Sequence, residues 1–273
     1  MFFNNYEKPG KGVDKREPNQ PQIQIYFDIL PRKMWSLFKL NILYLLTIAP
    51  FFLITMLFAG VISSAIVNTS VLNISGASLD TILRVILAYV FMVFLGQGPT
   101  TAGYTYVIRR YGEEQPCWLI SDFFSRSKMN FKQSFILWII DLLVVYVLVI
   151  AFRVYMHLGI VVLQCVILLI GVIYMMMHIY IYQMIVTFDL SLKNIFKNSI
   201  LLVVGKAPAS IIIFLIKVIA FIVIPITAVL NIGNFVIVMI LLLFDVLFIL
   251  PVAIFSINFY IAPILKKYIS SDS

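Results

Sequence analysis

Lys217 and Asp245 are charged residues inside long apolar runs of the sequence. An unpaired charge in the hydrocarbon core of a membrane costs a few kcal/mol even on the more lenient insertion scale, so each residue needs a compensating partner. Counted back from the short polar turn 231–234, both residues fall roughly 20 Å along their helices at about 1.5 Å per residue. We therefore predict a Lys217–Asp245 ion pair. It would either fix the rotation of two helices or line a substrate or ion pathway.

Asp141 and His178 are two further polar residues in apolar surroundings. Asp141 lies about two turns into its run, where it would face a water-filled vestibule or make a polar contact between helices. His178 has no carboxylate three or four residues away on its own run. Such a histidine either relays protons or hydrogen-bonds a neighbouring helix. Together the two residues define a possible polar vestibule.

The segment GQGPTTAG, residues 96–103, interrupts another apolar run. Gly96, Gly98 and Pro99 can unwind a membrane helix so that free backbone groups line a substrate site, as in many transporters. The same residues also kink helices and let neighbouring helices pack closely. Transporters commonly carry such a break in both of two repeated halves, and the sequence has no second copy in the matching place.

The composition of the chain indicates what must position these residues. Of the 273 residues, 62% are hydrophobic and only 12% are charged, and the mean hydropathy is +1.05. Soluble domains are nearer half apolar and a quarter charged, so a soluble fold is excluded. The net charge of +8 comes from basic residues between apolar runs, which is typical of membrane-orienting charge and argues against a nucleic-acid partner.

Crossing a bilayer takes about 20 apolar residues in helical form. We predict an all-α, polytopic protein of the lipid bilayer with six transmembrane helices, the second of them broken. The six runs are Leu40–Ile62, Ile82–Ile108, Phe135–Phe152, Leu158–Thr187, Ala207–Leu230 and Phe235–Ile264.

Most of the 20 Lys and Arg residues fall in connections that six spans place on one side of the membrane. The positive-inside rule names that side cytoplasmic, so both termini are expected in the cytoplasm. We divide the chain into a flexible polar tail (1–22), an amphipathic interfacial segment (23–39), a transmembrane domain (40–265) and a short cytoplasmic tail (266–273).

A short pattern occurs twice, 65 residues apart, before the third and fifth predicted spans. Basic residues would bind lipid phosphates and one Phe would anchor in the interface. The repeat reflects either a duplicated hairpin or two membrane-entry segments that converged. Its residues are Lys128, Phe131, Lys132, Lys193, Phe196 and Lys197.

Motifs for catalysis are missing from the sequence. It has no phosphate-binding loop, no HExxH zinc motif and only two histidines, and Cys117 and Cys165 lie at different predicted depths without a CxxC pattern. We therefore expect no enzymatic activity, no metal site and no cofactor. The inner connections also lack the coupling motif of ABC importer permeases, which disfavours a pore-forming ABC subunit.

Several segments together resemble the YesL-like family of Gram-positive bacterial membrane proteins. The likeness covers nearly the whole chain in order. The segments are NYEKPGKGV (5–13), KMWSLFKLN (33–41), GPTTAGY (98–104), DFF (122–124), NFKQS (130–134) and FDLSLK (188–193).

This resemblance implies a six-span protein of the bacterial cell membrane, of a family often encoded beside carbohydrate ABC importers. The expected function is an accessory or regulatory subunit that associates with the permease subunits of such an importer. The alternative is a stand-alone secondary transporter that uses the intramembrane charges and the broken second helix.

Overall fold

The computed structural model describes residues 21–67, 87–230, 240 and 243–269, with side chains for 21–62, 87–219, 240 and 243–267. Within these ranges all regular secondary structure is helical. The predicted tail 1–22 lies almost wholly outside them, as does the turn 231–234. The helices are α1 (Gln22–Val67), α2 (residues 87–94), α3 (Pro99–Gly112), α4 (Leu119–Met129), α5 (Phe131–His157), α6 (Val161–Thr187), α7 (Leu192–Gly205), α8 (Ala207–Leu230) and α9 (Leu250–Ile269), with a π-helical turn over Asp245–Ile249 before α9.

The described helices confirm an all-α architecture with several membrane-length segments. Four are long and apolar enough to cross a bilayer: Gln22–Ile62, Phe131–His157, Val161–Thr187 and Asp245–Lys267. A fifth forms only if α7 and the first part of α8, which meet at an angle of 98°, count as one span. Six spans and cytoplasmic termini remain predictions.

The predicted interfacial segment and first span form one continuous helix of 46 residues. Pro31 lies inside α1 and removes a backbone N–H, which leaves a carbonyl one turn earlier without its partner. On the same turn, Arg32 Nε donates to the neighbouring Asp28 carbonyl at 2.8 Å. The helix continues through this proline and through Pro50.

Helix α3 is the centre of the bundle and is buried along most of its length. It contacts α1, α4, α5, α6 and α9. Gly103 allows α4 to approach, since a Cβ there would collide with Ser127 Oγ and lie 2.6 Å from the Phe123 carbonyl oxygen. The short helix α4 thus lies in a connection that the sequence analysis identified only by its basic residues.

The two copies of the repeated pattern lie in different local structures. The first spans the end of α4 and the start of α5, whereas the second lies inside α7. All four lysines of the pattern are exposed. Phe131 is exposed and Phe196 is half-buried. The copies therefore share exposed basic residues and do not share a helix boundary.

Candidate functional site

The break between α2 and α3 lies in the interior of the bundle. Leu95 and Gly96 both donate their backbone N–H to the Phe91 carbonyl, at 2.9 and 3.2 Å, and the helix ends there. Gly96 has φ +90° and Gly98 has φ +61°, conformations that glycine adopts readily and other residues rarely. Pro99 then begins α3 with a φ already suited to a helix and no N–H to satisfy.

Side chains replace the helical hydrogen bonds that the break removes. The Gln97 N–H donates to Thr101 Oγ1 at 2.7 Å, and the Gly98 N–H donates to the Tyr182 hydroxyl of α6 at 3.2 Å. Thr100 Oγ1 donates to the Gln97 carbonyl at 2.8 Å. These hydrogen bonds satisfy the Gln97 and Gly98 N–H groups and the Gln97 carbonyl within the protein, so these three groups need no water at the break.

Helix α6 changes character along its length and supplies one wall of the site. Its first half carries many exposed apolar residues, whereas Met176 to Ile185 are all buried. Tyr174, His178 and Tyr182 follow one another at four-residue intervals, so they share one face of the helix. This face turns toward α5 and the break.

Asp141 and His178 are brought together by the packing of α5 on α6. His178 Nε2 lies 2.9 Å from Asp141 Oδ1, although the contact lacks the angle of a hydrogen bond. The Tyr174 hydroxyl donates to the same oxygen at 2.6 Å. The carboxylate that His178 lacks on its own helix therefore comes from the neighbouring helix. Both side chains are buried.

Lys217 and Asp245 do not form the predicted ion pair, because α2 supplies a different partner to each. Lys217 Nζ donates to the Phe94 carbonyl at 3.5 Å and lies 5.2 Å from the centre of the Phe94 ring. Asp245 accepts from the Tyr89 hydroxyl. These partners are five residues apart on α2, so the two charges meet it at levels about 7 Å apart.

A small cavity lies beside the break and is lined on several sides by buried polar groups. Its volume is about 70 Å³. We call it the break cavity. Its polar lining consists of Tyr44, Thr101, Tyr104, Thr105, His178, Tyr182, Gln183, Lys217 and Asn258.

A second polar cluster, the charged end, joins the ends of α1, α3 and α9. It consists of Arg32, Arg109, Glu113, Glu114 and Lys266. Glu113 lies 3.1 Å from both Arg109 and Lys266, and Arg32 lies 2.6 Å from Glu114. Burial alone would raise the pKa of Glu113, but the charges and hydrogen bonds of Arg109 and Lys266 outweigh it and leave that pKa below its usual value of 4.5.

The sequence identified the break residues and the buried charges, but it missed the partners that α2 supplies to Lys217 and Asp245. Neither Tyr89 nor the Phe94 carbonyl was singled out, and nor was Asn258, which lines the cavity. A tyrosine in an apolar run is a weak signal, because such a ring packs well without any polar role. A backbone carbonyl carries no residue-specific signal.

Comparison with family models gives a match over part of the chain. Residues 33–152 match the family model described as "Protein of unknown function, DUF624". The match includes the break and Asp141 but not His178, Lys217 or Asp245. No curated protein matches the chain, and no solved structure matches it.

Proposed function

We propose that the chain is a YesL-like protein of the bacterial cell membrane that acts as an accessory subunit of a carbohydrate ABC importer. The motif resemblance supports the family, and the YesL protein is known as a DUF624 protein, the same family model that matches residues 33–152. Members of the YesL-like family are often encoded beside carbohydrate ABC importers. The chain would have no catalytic activity of its own.

The observation that best supports an accessory role is the surface of α4 and its flanks. Trp118 is 81% exposed, and Ile120, Phe124 and Met129 are also exposed. Lys128 and Lys132 are exposed beside them. Aromatic and methionine side chains are enriched at protein interfaces, and basic residues beside them are typical of the cytoplasmic membrane surface. We infer that this α4 surface contacts the permease subunits on the cytoplasmic side.

The test is co-purification from the bacterium that makes the protein. Tagged protein would be solubilised gently and its partners quantified by mass spectrometry. We expect permease subunits in stoichiometric amounts, and their loss when Trp118→Ser is combined with Phe124→Ser. The matched control combines Leu158→Ser with Val162→Ser, which changes two exposed apolar residues near the α5–α6 turn.

Two results would reject the accessory role. In the first, folded wild-type protein is recovered without permease subunits in every mild detergent tested. In the second, the α4 variant and the control lose the subunits equally, because the contact would then not depend on the α4 surface.

The broken helix favours a second candidate, a stand-alone secondary transporter. Its support is an unwound backbone deep in the bundle beside Lys217 and other buried polar groups, an arrangement that transporters use for binding sites. In this case the purified protein alone would move solute across liposome membranes. Absence of flux in liposomes that contain correctly folded protein would reject it.

A further inference from the structure

The lining of the break cavity contains more buried polar atoms than the surrounding protein satisfies. His178, Gln183 and Asn258 are each more than nine-tenths buried. His178 Nδ1, both amide atoms of Gln183 and Asn258 Oδ1 have no hydrogen-bond partner among the described residues. An unsatisfied buried polar group lowers the stability of the fold, so the lining that holds these atoms is suited to a polar ligand.

The charge of the cavity comes from Lys217. Its ammonium group has three N–H donors, and its one hydrogen bond to a described residue, the Phe94 carbonyl, is 3.5 Å long. In the described part of the chain no carboxylate lies within 4.0 Å of Lys217. Asp141 contacts His178 and Asp245 contacts Tyr89. A lysine in this position attracts an anion.

The geometry of the break adds to this preference. Helix α3 begins at Pro99, so the positive end of its dipole lies at the break. The Tyr182 hydroxyl accepts from the Gly98 N–H, which leaves its own proton available to a ligand. Donors are therefore contributed by Lys217, Gln183 and Tyr182.

The volume of the break cavity limits the size of the ligand. An apolar cavity of roughly 150 Å³ holds benzene with its six heavy atoms. The break cavity, at about 70 Å³, is about half as large and has room for about three heavy atoms on that scale. Formate, acetate and chloride are near this size, whereas a sugar is far larger.

We propose that the break cavity binds a small monovalent anion of carboxylate or halide size. The Lys217 ammonium supplies the countercharge, and the Gln183 amide and Tyr182 hydroxyl donate hydrogen bonds to the anion. The proposal deepens the second candidate function, because it names the class of ligand, and it does not require that the anion be transported.

The test is equilibrium dialysis of radiolabelled formate against purified full-length protein, with gluconate, which is too large for the cavity, as the background anion. We expect saturable binding that unlabelled acetate and chloride compete away. Lys217→Met should weaken the binding at least tenfold, and Gln183→Leu should weaken it several-fold. Lys39→Gln, which removes an exposed lysine on α1, is the matched control and should bind as wild type does.

Binding of formate that does not saturate, or equal binding by wild type and Lys217→Met, would overturn the proposal. If neither cavity variant folds, the melting temperature of the wild type decides. It should be several degrees higher in formate than in gluconate at constant sodium, and equal melting temperatures would overturn the anion site. Saturable binding without flux in liposomes leaves the anion site intact and rejects the transporter. Flux of another solute without anion binding would support the transporter and overturn the anion site.

Discussion

Lys217 in the break cavity and Lys266 at the charged end differ in what surrounds them. Lys217 is 8% exposed, and in the part of the chain that the structure describes its acceptor is a single backbone carbonyl at 3.5 Å. Lys266 has a side chain that is 57% exposed, and it meets the Glu113 carboxylate at 3.1 Å. Lys266 therefore has the better partner, although it needs a partner less than Lys217 does, because water already stabilises its charge.

This difference indicates which cluster has a role beyond packing. Polar groups in the interior cost free energy unless they are fully paired, and an apolar replacement would often be neutral or stabilising. The break cavity keeps a lysine, a histidine and two amides, several of them unpaired. At the charged end, by contrast, Lys and Arg side chains meet Glu carboxylates directly. We expect substitutions in the interior to have large effects and those at the charged end to have small ones.

The largest effect is expected from Gly96→Ala at the break. The residue has φ +90°, and an added Cβ would lie 2.7 Å from Tyr182 Cε2 and 3.1 Å from Thr101 Cγ2. Backbone strain and overpacking together should cost about 3 to 4 kcal/mol of the free energy of unfolding. Reversible unfolding in mixed micelles measures it.

Two comparisons control for a general effect of alanine. Gly98→Ala should cost less, because its Cβ would approach no closer than 3.4 Å. Lys206→Ala changes the other interruption, the bend between α7 and α8, where the backbone N–H already donates to Leu202 at 2.9 Å. It should stay within about 0.5 kcal/mol of wild type. If Gly96→Ala and Lys206→Ala cost the same, the break is an ordinary bend.

The next largest loss of stability is expected from Asp141→Asn. The amide keeps an acceptor for the Tyr174 hydroxyl but loses the negative charge beside His178. We expect a loss of about 2 kcal/mol, as for a hydrogen bond to a charged group. His178→Gln should cost less in the Asp141→Asn background than in wild type, because the two residues act together. Additive losses in a double-mutant cycle would show that the contact contributes nothing.

The sequence predicted the helical class and the position of the break, because these depend on local chemistry. Apolar runs must form helices in lipid, and Gly96, Gly98 and Pro99 interrupt a helix in nearly any context. The sequence also identified the residues that the interior would bury. It could not assign their contacts, which depend on how distant helices align.

The predicted Lys217–Asp245 ion pair, which the structure does not contain, shows why the sequence could not assign these contacts. The prediction counted residues along two helices from a turn and assumed that nothing lay between them. In the structure α2 offers Tyr89 to Asp245 and the Phe94 carbonyl to Lys217. That carbonyl is available because the helix breaks just after it, but only the packing of distant helices brings Lys217 to it. Likewise the pairing of Asp141 with His178 depends on the register of α5 on α6.

At the charged end, Glu113 should make a smaller contribution that depends on pH. Its lowered pKa means that its ionised form is stabilised by folding. The contribution is therefore fully present above the usual pKa of a glutamate and is lost as the pH falls through the lower pKa of the folded state. Glu113→Gln should lower the melting temperature near neutral pH and flatten its decline in acid. Parallel melting curves for the two proteins from neutral pH into acid would contradict this.

The smallest effect is expected from Glu114→Gln. Arg32 and Glu114 are 2.6 Å apart, but their side chains are 43% and 27% exposed, so solvent and salt screen the pair. We expect a loss below about 1 kcal/mol in low salt, and none in about 1 M salt, where the screening length falls to about 3 Å. Melting temperatures of both proteins at the two salt concentrations measure it. A loss that persists in high salt would mean that this pair behaves like the buried groups around the break.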